Sequence, residues 1–238
     1  MLSLEELHKE VQKQGNEERA KNLARFFKTG KGDYGEGDIF AGLTVPQSRV
    51  IATKFKDLSL SDIEKLLMSK IHEERLIALL LLVHKFTKGS EEKQKEIFDF
   101  YLAHTKYINN WDLVDLSAGY IVGGYIHSHK ELEKVLHKLA VSTSIWERRL
   151  AIIATFAYIK EGEYELTLKI ADILLHDSHD LIQKAVGWLL REVGKRCSQK
   201  AEEEFLLTRY KTMPRTMLRY AIERFPEEKR LKYLHGEI

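Results

Sequence analysis

Residues 182–195 read "IQKAVGWLLREVGK". Ile182, Ala185, Val186, Leu189 and Val193 recur at intervals of three and four, the period of a helix with one buried stripe. Lys184, Trp188, Arg191 and Lys195 fall beside that stripe, also at helical spacing. The stretch predicts a helix with a core face and a flank on which one large ring is framed by three cations. The same recurrence runs through most of the chain, and no long period-two stretch interrupts it. The expected fold class is all-α.

The helix also belongs to a series. "ERLIALLLLV", "DLSAGYIV", "RRLAIIATF", "IQKAVGWLL" and "LRYAIERF" align on Ala78, Ala118, Ala151, Ala185 and Ala221, with separations of 40, 33, 34 and 36 residues. Two helices of about 12 residues and two short turns fill such a period. A small residue at each equivalent point allows close helix approach. The expectation is a single domain over residues 1–238, a solenoid of stacked antiparallel helix pairs of the HEAT type with a concave face. Pro46, Pro214 and Pro226 each open a helical pattern. Serine followed three residues on by glutamate marks expected capping boxes at Ser3/Glu6, Ser61/Glu64, Ser128/Glu131 and Ser144/Glu147.

Composition narrows the class. Charged residues make up 31% of the 238 but leave a net charge of only +2, so affinity for an acidic partner must come from local clustering. One cysteine, Cys197, excludes an internal disulfide and fits a reducing compartment. The N-terminal "MLSLEELHKEVQKQG" reads as a charged amphipathic helix rather than a signal peptide. The longest apolar run, "LIALLLLV", is about half a membrane span. A soluble, cytoplasmic protein is expected. The glycine-rich stretch "TGKGDYGEGDIFAGLTVP", residues 29–46, lacks the strand and the Ser/Thr of a phosphate-binding loop and reads as a structural interhelical loop. "HDSHD" at 176–180 resembles a metal cluster but falls in a turn, where caps account for it better.

"YINNWDLVD", residues 107–115, places Trp111 and Asp115 four apart on a helix, one above the other, with no apolar partner evident in sequence. Gly119 and Gly123 continue that face and leave the carboxylate open, while Val114, Ala118 and Ile121 form the core stripe. "IWERR" repeats the Trp/Arg spacing of Trp188 and Arg191 in Trp146 and Arg149. Trp146 reads more simply as a packed residue, Arg148 as a surface cation, and Asp115 has the alternative of pairing with a neighbouring arginine. Basic residues interleaved with rings suit nucleic acid. A carboxylate among them repels phosphate, which suggests chemistry: stabilising positive charge on a sugar as a C–N bond breaks.

The stretches "ARFFK", "FAGLTVPQSR", "NWDLVD", "IWERRLAI" and "IQKAVGWLLRE" together resemble the AlkD family of DNA alkylation repair enzymes, HEAT-like-repeat DNA glycosylases. The resemblance implies release of cationic N3- and N7-alkylated purines from duplex DNA without base flipping, and without a metal or organic cofactor. It implies Trp111, Asp115 and Trp188 at the lesion, with Asp115 catalytic, and Arg149 and Arg191 on the backbone. The residue pattern adds Lys184, Lys195 and Arg148 to the DNA-binding set. A monomer is expected. Where some members carry tyrosine near "ARFFK", this chain has Phe26; Tyr34, in an insert longer than usual, is the candidate to supply the hydroxyl. The other reading, from a different class, is a non-catalytic HEAT-repeat scaffold that binds DNA or protein.

Overall fold

The computed structural model describes residues 2–238, which form helices joined by turns and, between the second and third helices, one long loop. Among the described residues the only β pairing is a single parallel bridge between Ile39 and Ile71. The all-α expectation holds. Among the described residues no helix is long and apolar enough to cross a membrane. The chain divides into two compact units at Ser117/Ala118.

The first unit comprises α1 (Leu4–Gln14), α2 (Glu17–Phe26), α3 (Val45–Lys54), α4 (Leu60–Leu67), α5 (His72–Lys88), α6 (Glu91–Ala103) and α7 (Trp111–Ala118), whose last residue passes the boundary. Its centre is α5, packed by α1, α3, α4 and α6. The apolar run at 76–83 is buried on nearly every side, as such a run requires. More unusually, the four residues that open α5, His72, Glu73, Glu74 and Arg75, are also buried.

The glycine-rich loop is structural. Glu73 accepts hydrogen bonds from the backbone N–H groups of Ala41, Gly42 and Leu43 at 2.9, 2.8 and 3.0 Å. An internal carboxylate thus occupies the anion-binding backbone of the loop. Arg19 donates to the Gly42 carbonyl at 2.8 Å, and His72 N–H to the Ile39 carbonyl at 2.8 Å.

The second unit comprises α8 (Gly124–Ser128), α9 (Glu133–Ala140), α10 (Ile145–Ala154), α11 (Phe156–Lys160), α12 (Glu165–Ile173), α13 (Asp180–Arg196), α14 (Gln199–Leu207), α15 (Arg215–Ala221) and α16 (Glu227–His235). Here α13 is central, with α10, α12, α14 and α15 around it. Its predicted stripe, Ile182, Ala185, Val186, Leu189 and Val193, is wholly buried, and so are all five aligned alanines. A Cβ on Gly187 would sit 2.4 Å from the Met217 carbonyl and 2.6 Å from the Tyr220 Cβ, so α13 and α15 meet at backbone distance. Cys197, just past α13, is half-buried and its thiol donates to the Ile159 carbonyl.

Of the expected capping boxes only Ser3/Glu6 forms. Ser61 lies inside α4, which Ser59 caps instead. Ser128 ends α8, and Leu132 precedes α9 with no side-chain cap. Ser144 makes no capping bond; Glu147 accepts from Ser142 at 2.5 Å. A box that the search for serine missed, Thr44/Gln47, starts α3. Ser/x/x/Glu recurs by chance in a charged helical chain, whereas a cap also requires extended backbone at its first residue. The prolines behave as expected, with Pro46 in the first turn of α3 and Pro214 and Pro226 capping α15 and α16.

Gly187→Ala should destabilise the second unit by about 1–3 kcal/mol, because α13 and α15 must part to admit a methyl group. Urea unfolding of the variant against wild type measures it. An unchanged midpoint would show that the interface yields freely.

Candidate functional site

In the first unit the structure builds a ring stack around Trp111. Phe27 lies parallel to Trp111, with centroids 5.1 Å apart and planes at 11°. Phe40 stacks on Phe27 and on the His72 imidazole, and Phe26 meets Trp111 edge-on at 6.0 Å. Trp111 is therefore a half-buried ring with apolar partners, which its own helix does not reveal. Phe26, 65% exposed, leaves the edge of the stack open to solvent.

Behind the rings lies a buried polar network. His72 places Nδ1 at 3.0 Å from Asp38 Oδ2 and Nε2 at 2.8 Å from Asp112 Oδ2. Arg75 donates to the other Asp38 oxygen at 2.6 Å and to the Ser69 carbonyl. Asn110, fully buried, donates to Asp38 and accepts from the Trp111 N–H at 2.9 Å. Burial alone would lower the His72 pKa, but the hydrogen bonds to Asp112 and Asp38 outweigh it and raise the value to about 9. Burial pushes Asp38 the other way, yet His72, Arg75 and Asn110 hold its carboxyl below the ordinary value.

The other end of α7 is fixed as well. Ser117 donates its proton to the Leu113 carbonyl at 2.6 Å, so the Tyr101 hydroxyl, 2.8 Å from the Ser117 oxygen, is the donor in that contact. Burial, then the nearby Asp115 charge, push the Tyr101 phenol up and keep it protonated. Asp115, half-buried, follows Trp111 by four residues on α7 as expected. Past Ala118, Gly119–Gly123 form a π-helical turn, which shifts the register by one residue. The face read through Gly119 and Gly123 therefore does not continue. A Cβ on Gly123 would lie 2.1 Å from the Ala154 carbonyl, so this glycine serves helix packing rather than open space.

The second unit holds the remaining candidates. Trp188, half-buried, sits 5.9 Å from the ring of Phe156, which Lys160 and Arg196 flank at 5.3 Å each. Arg191 pairs with Glu223 and, at 3.4 Å, with Glu192. Lys184 pairs with Asp180 at 2.8 Å, and Lys195 is exposed. Arg148 pairs with Asp177 at 2.6 Å and donates to the Ser142 and Thr143 carbonyls. Arg149 is buried and donates to the Leu181 carbonyl at 2.5 Å, tying α10 to α13. Trp146 is half-buried. In "HDSHD", His179 caps α13, and Asp177 both accepts from the His179 N–H and holds Arg148. Among the described residues no group of three His, Cys, Asp or Glu is arranged to hold a metal ion.

A family model described as DNA alkylation repair enzyme matches residues 7–225. The chain belongs to this family. Among solved structures it is similar to a predicted DNA alkylation repair enzyme from Enterococcus faecalis, with a TM-score of 0.71 and 18% identity, covering 90% of this chain and 98% of that one. It is also similar to AlkD2 from Streptococcus mutans, with a TM-score of 0.55 and 17% identity over 88% of this chain and 98% of that one. At these identities the likeness is one of fold, a helical-repeat architecture. No curated protein matches the sequence.

The residues around Trp111 that sequence reasoning overlooked are Asp38, His72, Asp112, Phe27 and Phe40. A signal existed. Four ionisable residues directly before the most apolar run of the chain are drawn into the core with it, and each then demands a partner. The Tyr34 hydroxyl lies 3.5 Å from the Phe26 carbonyl, which places it beside that residue.

The raised His72 pKa has a stability consequence of definite sign. The folded value lies above the unfolded ~6.5, so the contribution is fully present below pH ~6.5 and is lost as pH rises through about 9. Its size is on the order of 3 kcal/mol. Glu202, buried and raised to about 8 by desolvation and then by Glu203, adds its own decline from pH ~4.3 to 8. The difference between wild type and His72→Gln isolates the histidine. Urea midpoints from pH 6 to 10 should fall more steeply in wild type above pH ~6.5; parallel curves would rule out the charged imidazole.

Proposed function

We propose that this DNA alkylation repair enzyme is a monofunctional DNA glycosylase. It hydrolyses the N-glycosidic bond of cationic N3- and N7-alkylated purines in duplex DNA, without flipping the base into a pocket. The observation that carries the reading is the pair on α7: Trp111 held against the Phe27 stack, and Asp115 one turn further on, on a helix pinned at both ends.

An alkylated purine is already charged and leaves readily, so the reaction needs no strong general acid. What develops is positive charge on the deoxyribose. Asp115 stabilises that charge and orients the attacking water. Trp111 lies against the cationic nucleotide, where ring faces attract positive charge, and Trp188 of the second unit offers a half-buried ring of the same kind. Arg148, Lys184, Arg191 and Lys195 form the phosphate-binding set, and buried Arg149 holds the helix that carries three of them. Lys195 is exposed, Arg148, Lys184 and Arg191 exchange an internal carboxylate for phosphate, and Arg149 supports α13 from within.

Asp115→Asn should lower base release by on the order of 10²–10³ while leaving DNA binding nearly intact. The assay compares duplexes carrying N7-methylguanine with duplexes carrying uracil. Release of the neutral uracil should be poor even in wild type, because its departure calls for a proton that this face does not supply. Full activity in Asp115→Asn removes the carboxylate from the mechanism. A variant that binds DNA more tightly, from a wild type that releases nothing, points to a scaffold instead.

Arg191→Ala should weaken DNA binding and flatten its salt dependence by about one unit of slope. Glu223→Gln, which frees Arg191 from its carboxylate, should act in the opposite direction on affinity. Binding titrations between 50 and 200 mM salt, a span of roughly the size that separates such slopes, measure both. Identical slopes in all three proteins would place Arg191 away from phosphate.

A further inference from the structure

We propose that His72 is a positioning residue for the Trp111 face. It holds the first turn of α7 in place only while both of its ring nitrogens carry protons. The inference rests on the reading of Trp111 as a lesion contact, but its physical core is independent of that reading.

Each imidazole nitrogen lies within 3.0 Å of a carboxylate oxygen, Nδ1 against Asp38 and Nε2 against Asp112. A neutral imidazole has one N–H and one lone pair. It would therefore turn a lone pair toward one of the two carboxylates, at a distance that only a hydrogen bond makes favourable. The geometry demands the imidazolium. The charged groups facing it are Asp38, Asp112 and Arg75, while Phe27 and Phe40 pack on the ring. Two cations and two anions leave the buried cluster neutral.

When the ring loses a proton, the two contacts are not equally secure. Asp38 is 4% exposed and also holds Arg75 and Asn110. Asp112 is 18% exposed, and its second oxygen has no hydrogen-bond partner. Asp112 is the one released. It adjoins Trp111 in the first turn of α7, so its departure loosens the helix start where the ring is mounted. Phe27, which touches both the imidazole and the indole, carries the change to the ring stack directly.

The test uses the full chain with Trp146→Phe and Trp188→Phe, leaving Trp111 as the reporter. Its emission should change with pH around a single midpoint near 9. His72→Gln should show the high-pH spectrum already at pH 7 and no titration. Asp112→Asn should keep the low-pH spectrum throughout pH 7 to 10, because its amide can donate to the neutral ring and is not released when the ring loses its proton. This variant keeps the test decisive even if His72→Gln does not fold. In chains that retain Trp146 and Trp188, His72→Gln should raise KM on methylated duplex roughly tenfold, the size of one charge-assisted hydrogen bond, with kcat nearly unchanged. Emission that stays flat from pH 7 to 10 in the chain that keeps His72 and Asp112, or a midpoint near 9 that persists in Asp112→Asn, overturns the proposal. A wild type that releases no methylated base sinks the glycosylase reading instead and leaves the emission result standing.

Discussion

The first unit depends on keeping water from the first turn of α5 without leaving any of its charges unanswered. His72, Glu73, Glu74 and Arg75 are each buried, and an isolated buried ion is among the costliest features a fold can contain. Each therefore recruits a segment. Glu73 draws in the backbone of 41–43, Glu74 takes His8 of α1 and Ser69, and Arg75 and His72 converge on Asp38. The carboxylates also sit at the positive end of the helix, which favours them. The glycine-rich loop has its course because these four residues leave few others available. Phe40 and Asp38 arrive where they do as members of that loop.

In the second unit the governing constraint is steric. Gly123 faces the Ala154 carbonyl and Gly187 the Met217 carbonyl at distances no Cβ tolerates. Close approach lets α13 contact α15 and α10 along its length, and the recurring alanines extend the same principle. Polar groups then collect at the rims of these contacts, where Arg149 reaches the Leu181 carbonyl and Arg148 reaches Asp177.

Helices, the α13 stripe and the aligned alanines were legible because periodicity is a local property of sequence. Trp111 and Asp115 were legible as a pair for the same reason, both lying on one short helix. The partners of Trp111 were not. Phe27 and Phe40 come from the residue that caps the end of α2 and from a loop, and nothing in "YINNWDLVD" indicates which rings will meet it. The caps were misread where composition stood in for backbone: Ser61 and Ser128 are serines inside helices. The flank of α13 was read as a row of cations. Glu223, Asp180 and Glu192 stand beside those cations in space, and their distance along the chain conceals this for Glu223.

One small feature bears on the environment in which such a repair enzyme works. Alkylating agents attack thiolates far faster than thiols. The sole cysteine of the chain, Cys197, spends its proton on the Ile159 carbonyl, and burial followed by the Glu165 charge pushes its thiol further from ionisation. The fold thus keeps its one thiol in the less reactive, protonated form. At that position an electrophile meets a protonated sulfur rather than the thiolate that reacts fastest.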